Sequence, residues 1–171
     1  MGHVGAALAA KRARQSVGLL VLLLATYGPD WADTALCLTR ANGSNGMLSH
    51  SLPAVGVLAV LGFSIYTAST RDWKGGLVVG SVVVSHMLLD WITGEKPTWP
   101  GGPRVGLQLY AHPIADFSVE GILIICGVAL YARTLPDQRS WADARLMLAA
   151  LLALQVGVDV GHLLIGSLQK C

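Results

Sequence analysis

Four apolar runs, each about as long as a lipid bilayer is thick, limit what this chain can fold into. An α-helix that rises about 1.5 Å per residue needs roughly 20 residues to cross about 30 Å of hydrocarbon. Runs of that length lie at residues 51–70, 75–93, 117–135 and 144–168. The chain is also 53% hydrophobic and only 13% charged, unlike ordinary soluble domains. We therefore predict an integral membrane protein.

A fifth, shorter apolar run at residues 16–27 follows the basic residues Lys11, Arg12 and Arg14. A basic start before an apolar run also describes a signal peptide, but the next stretch, YGPDWAD, lacks a cleavage site of small residues. We expect the run to be retained. The predicted fold is an all-α polytopic membrane helix bundle with about five transmembrane helices plus a short N-terminal helix, in one integral membrane domain over residues 1–171.

The net charge and the cysteines exclude some classes of protein. A net charge of +2, scattered along the chain, does not indicate nucleic-acid binding, so membrane lipids are the expected partners. Cys37, Cys126 and Cys171 are predicted to form neither a disulfide framework nor a C-x-x-C metal site. Cys126 is interpreted as a small apolar filler inside a span.

Lysines and arginines predict which helix ends face the cytoplasm, where these residues accumulate. We place the N-terminal basic cluster on the cytoplasmic side and let successive spans cross the membrane in alternating directions. Eight of the twelve lysines and arginines then lie on the cytoplasmic side. They are Lys11, Arg12, Arg14, Arg71, Lys74, Arg133, Arg139 and Arg145, and the four outside are Arg40, Lys96, Arg104 and Lys170.

The same arrangement gathers acids and histidines near the opposite, non-cytoplasmic end. The positive-inside bias does not require this, because acids count little in it and histidines not at all. A shared polar site near the outer helix ends is the simplest cause. The residues are Asp30, Asp33, Asp90, Glu95, Asp116, Glu120 and Asp159, with His50, His86, His112 and His162.

Several of these residues are spaced so that they share a helix face. His86 and Asp90, in SHMLLDWIT, are four residues apart and project from one side of a helix. Other polar residues follow similar short spacings or stand at the start of a predicted helix: Asp116 with Glu120, Asp159 with His162, Asp30 with Asp33, and His50 between two serines.

Ionisable groups at membrane depth cost roughly 2.5 to 3.5 kcal/mol each, so they must pair, line water or bind something. Imidazoles and carboxylates that converge from several helices suit a divalent metal, zinc above all, with manganese or iron also compatible. The predicted ligands are His50, His86 and Asp90, with Asp30 or Asp33. A bound cation would lower the pKa of a coordinated water toward about 7. Glu120 or His112 would then move protons.

Other interpretations stay open from the residues alone. An intramembrane His–Asp pair can be a structural hydrogen bond, and Asp30 can be a helix cap. A second hypothesis is a non-enzymatic membrane protein, either an ion or proton carrier or a structural subunit of a complex. A carrier needs polar residues toward the cytoplasmic side, and the inner halves of the spans have almost none. Glycine-rich spans allow close packing within or between chains, so a homo-oligomer is compatible.

The segment at residues 94–113, GEKPTWPGGPRVGLQLYAHP, contains four prolines and four glycines. We predict that it forms a folded lid over the outer helix ends, since irregular segments of this length in compact domains are usually functional or disordered. Its Trp99, Tyr110 and Arg104 would suit a phosphate-bearing or lipid-like substrate, and would equally suit anchoring at the membrane interface.

Five stretches together resemble a known family. GHVGAALAAKR, GPDWAD, LSHSLP and SHMLLDWIT are similar to bacterial membrane-bound metal-dependent hydrolases, the group that includes the LexA-regulated inner-membrane hydrolase. TWPGGPRVGLQLY is similar to a subgroup of uncharacterised small membrane proteins in it. The resemblance covers residues 3–135.

The resemblance implies a bacterial inner-membrane protein with a metal centre that hydrolyses a phosphoester or lipid-like substrate. The implied ligands are His3, Asp30, His50, His86 and Asp90. His3 would join them only if residues 2–10 formed a separate short helix, about 12 Å long, that turned at the basic cluster and reached mid-membrane.

This chain departs from the family at two places. It has PDWAD where many members have Pro-Asp-x-Asp-His, so one ligand histidine is missing. It has Tyr110 followed by Ala-His-Pro where the subgroup often has Trp-Asn, so His112 either substitutes or is idle.

Overall fold

The computed structural model describes residues 2–39, 48–135 and 138–165, with side chains in the last range described for residues 141–161. The described part is helical apart from one short hairpin and irregular connections, which confirms the all-α class. The helices are α1 Gly2–Ala13, α2 Leu19–Thr26, α3 Gly28–Leu38, α4 Leu52–Thr70, α5 Trp73–Thr93, α6 Pro113–Ala132 and α7 Gln138–Ile165. The hairpin pairs β1 Lys96–Pro97 with β2 Arg104–Val105.

Four of the described helices are long and apolar enough to cross a membrane: Leu52–Thr70, Trp73–Thr93, Pro113–Ala132 and Trp141–Gly161 within α7. They correspond to the four long runs in the sequence. A helix is the natural form for such runs because it satisfies its backbone hydrogen bonds where lipid offers no partners. The apolar faces of α4 and α7 are largely exposed, as surfaces that contact lipid would be.

The fifth apolar run does not form a spanning helix. The helix inside it, α2, has eight residues and rises only about 12 Å. Pro29, in the first turn of α3, fits the start of a new helix because its missing N–H would have no partner there anyway. The break at Tyr27 separates α2 from α3, which carries Asp30 in its first turn.

The N-terminal helix is longer than expected. It ends at Ala13 rather than before the basic cluster, so Lys11 and Arg12 lie in its last turn. A Cβ on Gly5 would meet the backbone carbonyl of Leu123, and a Cβ on Gly127 would meet the backbone of Gly5. Glycine at these positions therefore lets α1 lie directly on α6, which is the close small-residue packing found between membrane helices.

Helices α4 and α5 form an antiparallel pair whose connection carries basic residues. Arg71 ends α4 in the left-handed conformation, with φ of 57°. Asp72 then caps α5 by accepting a hydrogen bond from the Gly75 N–H at 3.0 Å. The guanidinium of Arg14 donates to the same carboxylate at 3.0–3.1 Å and ties the end of α1 to this turn. The start of α1 and the end of α5 thus meet at the opposite end of the bundle.

The segment after α5 folds over that opposite end, as the sequence predicts for a lid. In the hairpin, Lys96 is opposite Val105. The Thr98 carbonyl accepts from the Leu52 N–H at 3.0 Å, at the start of α4. The Leu107 N–H donates to the Trp91 carbonyl at 2.8 Å, near the end of α5. These backbone bonds join the hairpin to both helices.

The cysteine prediction is wrong for Cys37, which is disulfide-bonded at the end of α3. Cys126 is a free thiol, but it is exposed on α6 rather than packed as a filler. Arg40, Lys170, Cys171 and the side chains of Arg139 and His162 lie outside the described residues.

The contact between α1 and α6 can be tested with Gly127→Ala. The added methyl group would collide with the backbone of α1, which cannot rotate away as a side chain could. We expect a loss of about 1–3 kcal/mol in the free energy of unfolding, measured by denaturation in detergent. The matched control is Gly56→Ala in α4, where a Cβ meets nothing within 4 Å. Equal stability of the two variants would contradict the proposed contact.

Candidate metal centre

Four side chains from three segments meet where α5 ends beneath the hairpin. Asp30 comes from α3, His50 from the 3₁₀ turn before α4, and His86 and Asp90 from one face of α5. The Nε2 atom of His50 lies 3.2 Å from Nε2 of His86, 3.2 Å from Oδ1 of Asp30 and 3.3 Å from Oδ2 of Asp90. His86 Nε2 lies 3.3 Å from Asp90 Oδ2 and 3.6 Å from Asp30 Oδ1.

These separations have the scale of a metal coordination shell. Four atoms placed tetrahedrally around zinc, each at 2.0–2.1 Å, stand roughly 3.3–3.4 Å from one another. The five measured separations range from 3.2 to 3.6 Å. The set of two imidazole nitrogens and two carboxylate oxygens also has the chemistry that zinc accepts.

The cluster is buried, and burying ionisable groups costs free energy unless their charges are offset. His86, His50 and Asp90 are 1%, 2% and 4% exposed. Asp90 Oδ2 is nevertheless without a partner of hydrogen-bond geometry in the described part of the chain, although nitrogens of three residues lie within 3.3 Å. This is expected where donor atoms surround a shared centre instead of pairing with each other. The residues present therefore fit a divalent ion.

His3 joins the same cluster from the start of α1. Its Nε2 lies 3.2 Å from Oδ1 of Asp90. Its ring is 4.1 Å from that of His86, centre to centre. His3, His86 and Asp90 can thus form one group of donors, and Asp30, His50 and His86 another, with His86 in both. All five residues implied by the family resemblance are brought together.

Asp33 has a different position from the other acids. Its Oδ2 lies 2.8 Å from Nδ1 of His50, the ring nitrogen that faces away from the cluster. Ser49 contributes to the same network, since its hydroxyl lies 3.1 Å from that nitrogen and donates to the Pro29 carbonyl at 2.8 Å. A carboxylate behind a ligand histidine fixes the ring's orientation and its tautomer. Asp33 therefore supports His50 and does not itself reach the centre.

The charges of this network shift the pKa values of its members outside the spanning helices. Burial alone would lower the pKa of His50, but its contacts with the carboxylates of Asp30 and Asp33 raise it above the ordinary value of 6.5. Burial would likewise raise the pKa of each carboxyl, but the contacts with His50 hold both below the ordinary 3.8. The contacts therefore favour ionised carboxyls at Asp30 and Asp33 beside a protonated His50 ring.

Lys96 is a member of the cluster that the sequence reasoning did not select. Its Nζ lies 3.0 Å from Asp90 Oδ2, and its side chain is only 13% exposed. The available signal was its location: it is one of four cations on the otherwise acidic side of the predicted membrane topology. A lysine outside the apolar helices ordinarily reaches solvent, so the signal was weak.

The two residues predicted to move protons lie in different places. Glu120 is buried on α6, where it forms an acidic group with Asp116 and Asp159. A Cβ on Gly2 would lie 3.6 Å from Glu120 Cα and Cγ, so this glutamate is beside the start of α1. His112 is exposed at the beginning of α6, outside the donor groups found among the described residues. Both roles stay predictions.

The ion pairs around His50 predict how stability depends on pH. The Asp33–His50 pair needs an ionised carboxyl and a protonated ring. Its contribution should be complete from about pH 4 to 6.5, between the unfolded-state values of the two groups. It should disappear as pH rises through the raised pKa of His50, and again as pH falls through the lowered pKa of Asp33.

The measurement is the free energy of unfolding of metal-free protein across pH, for wild type and Asp33→Asn. Wild type should be more stable at pH 5–6, and the difference should shrink by pH 9. The control is Asp143→Asn, at an exposed site on α7. A difference for Asp33→Asn that stays constant from pH 5 to 9 would contradict the pairing.

Comparison with known proteins identifies the family. The family described as YdjM inner membrane protein matches residues 1–163, nearly the whole chain. No curated protein and no solved structure matches it. The match agrees with the four apolar helices and with the bacterial inner-membrane group that the sequence motifs resemble. The chain is thus an integral inner-membrane protein that belongs to the YdjM inner membrane protein family.

Proposed function

We propose that this protein is a membrane-embedded, metal-dependent hydrolase that acts on a phosphoester or lipid-like substrate. One observation carries the proposal. The Nε2 atoms of His50 and His86 lie 3.2 Å apart, and each lies 3.2 to 3.6 Å from a carboxylate oxygen of Asp30 and of Asp90, the spacing of ligands around one zinc ion. Manganese and iron accept similar donors and are alternatives for the ion.

The composition of the ligand set favours a catalytic site over a structural one. Structural zinc sites are usually closed and rich in cysteine, whereas catalytic sites use histidine and carboxylate and keep a position open. Here the ligands are two or three histidines and two aspartates. The Asp30 side chain is 48% exposed while those of the other ligands are buried, so the cluster has one side through which solvent and substrate can enter.

A bound zinc ion would supply activation of water near neutral pH and polarisation of a substrate oxygen. The chain's own residues would hold the ion and orient its ligands. His50, His86 and Asp90 form the buried part of the ligand set, and Asp33 keeps Nε2 of His50 directed inward through its contact at Nδ1. Glu120, beside the start of α1, is the buried carboxyl that could carry a proton to or from the reaction.

The centre would face the non-cytoplasmic side of the inner membrane. The Arg14–Asp72 pair and the turn with Arg71 and Lys74 lie at the other end of α5 from Asp90. Basic connections favour the cytoplasmic side, so the end with the hairpin and the centre is assigned to the outside.

The proposal predicts metal content and hydrolysis together. Wild-type protein purified in nanodiscs and loaded with zinc should hold about one ion per chain and hydrolyse at least one phosphoester from a panel of soluble and lipid phosphates. Asp90→Asn should lose the ion and reduce the rate by roughly a hundredfold or more. The reason is that a neutral amide would replace a negatively charged ligand of the ion. Elemental analysis and product assays measure the two quantities.

Asp143→Asn, on the exposed surface of α7, is the matched control and should keep both properties. Folded wild-type protein that binds no divalent metal would contradict the centre. Protein that binds zinc tightly but hydrolyses nothing in the panel would contradict the enzyme and support the second hypothesis, a non-enzymatic membrane protein.

A further inference from the structure

We infer that Lys96 binds a negatively charged oxygen of the substrate at the metal centre and so restricts the substrate to anionic esters, such as esters of phosphate. The inference rests on the proposed function and makes its substrate class more specific. It starts from the contact between Lys96 on the hairpin and Asp90 on α5.

The position of the ammonium group is unusual. Nζ of Lys96 lies 3.0 Å from Asp90 Oδ2, and the same oxygen is 3.3 Å from Nε2 of both His50 and His86. The lysine therefore stands at the edge of the donor set that fits a metal ion. Among the described residues, Asp90 is the only carboxylate within ion-pair distance of Lys96.

The hairpin does not need this ion pair to stay in place. Its backbone is joined to α4 through Leu52 and Thr98, and to α5 through Leu107 and Trp91. Within the hairpin, the Thr98 N–H donates to the Pro103 carbonyl at 3.0 Å. A residue without charge at position 96 would leave all these bonds intact. Burying an ammonium group carries a desolvation cost, so a role other than attachment accounts better for its presence.

Metal binding would take Asp90 away from Lys96 as its counter-ion. A divalent ion held by Asp90 would share the carboxylate oxygen with the ammonium group, and the two cations would repel each other. A largely buried ammonium that loses its counter-ion is costly unless another anion approaches. The flexible four-carbon stem of lysine allows its head group to move toward such an anion. A negatively charged substrate oxygen next to the ion supplies it.

The same argument excludes neutral esters as preferred substrates. A neutral ester would bring no charge to Lys96 and would leave the ammonium unpaired. The second cation of the hairpin, Arg104, is exposed and donates to the Glu95 carbonyl at 3.0 Å. The hairpin thus presents positive groups over a helix end that is otherwise acidic. Phosphate is the anion whose esters also suit a metal centre.

The test compares wild type with Lys96→Met in nanodiscs and measures two affinities. The first is that for zinc, by competition with a chromophoric chelator. The second is that of zinc-loaded protein for inorganic phosphate in solution and for phosphatidic acid added to a phosphatidylcholine bilayer. Lys96→Met should bind zinc roughly tenfold more tightly, because a competing cation is gone, and bind at least one phosphate probe roughly tenfold more weakly.

Lys74→Met is the matched control, since Lys74 is exposed at the far end of α5, and it should change neither affinity appreciably. Lys96→Arg keeps the charge and should retain phosphate binding even if Lys96→Met folds poorly. The probe whose binding depends on Lys96 identifies the source of the phosphate, either a soluble ester or a lipid headgroup.

Unchanged phosphate binding in Lys96→Met would overturn the inference while leaving the metal centre standing. Weaker zinc binding in Lys96→Met would also overturn it, because Lys96 would then only support Asp90. Wild-type protein that binds no zinc would contradict the proposed function itself. Zinc binding by wild type is therefore measured before any variant is compared.

Discussion

The structure around the site depends on one buried carboxylate, Asp90. Its two oxygens lie within 3.3 Å of nitrogens from His3, His50, His86 and Lys96, which come from four separate segments of the chain. A carboxylate at this depth is costly unless its charge is offset, so the surrounding segments must bring cationic or metal-binding groups to it. A divalent ion would offset the charge and use the same donor atoms.

The helix packing explains how those segments reach Asp90. Glycines at positions 5 and 127 let α1 lie against α6, which holds His3 at the end of α5. The break between α2 and α3 turns Asp30 and Asp33 toward the start of α4, where His50 lies. The hairpin is attached by its backbone to α4 and α5 and brings Lys96 to Asp90.

Much of this could be predicted from the sequence, because apolar length and helical spacing are local properties. The four spans follow from the runs, and the pairing of His86 with Asp90 follows from their spacing. Two features could not be predicted, since they depend on tertiary contacts. Asp30 and Asp33 look equivalent, yet one reaches Nε2 of His50 and the other Nδ1. The position of Lys96 beside Asp90 depends on how the hairpin packs against α4 and α5.

The central claim is that His50, His86 and Asp90 share one metal ion with Asp30 or His3. X-ray absorption spectroscopy at the zinc edge of loaded protein tests this claim most directly. We expect nitrogen and oxygen scatterers at about 2.0–2.1 Å, with the outer-shell pattern of at least two imidazole rings. A sulfur scatterer at about 2.3 Å, or a shell of oxygen alone without imidazole, would contradict the account.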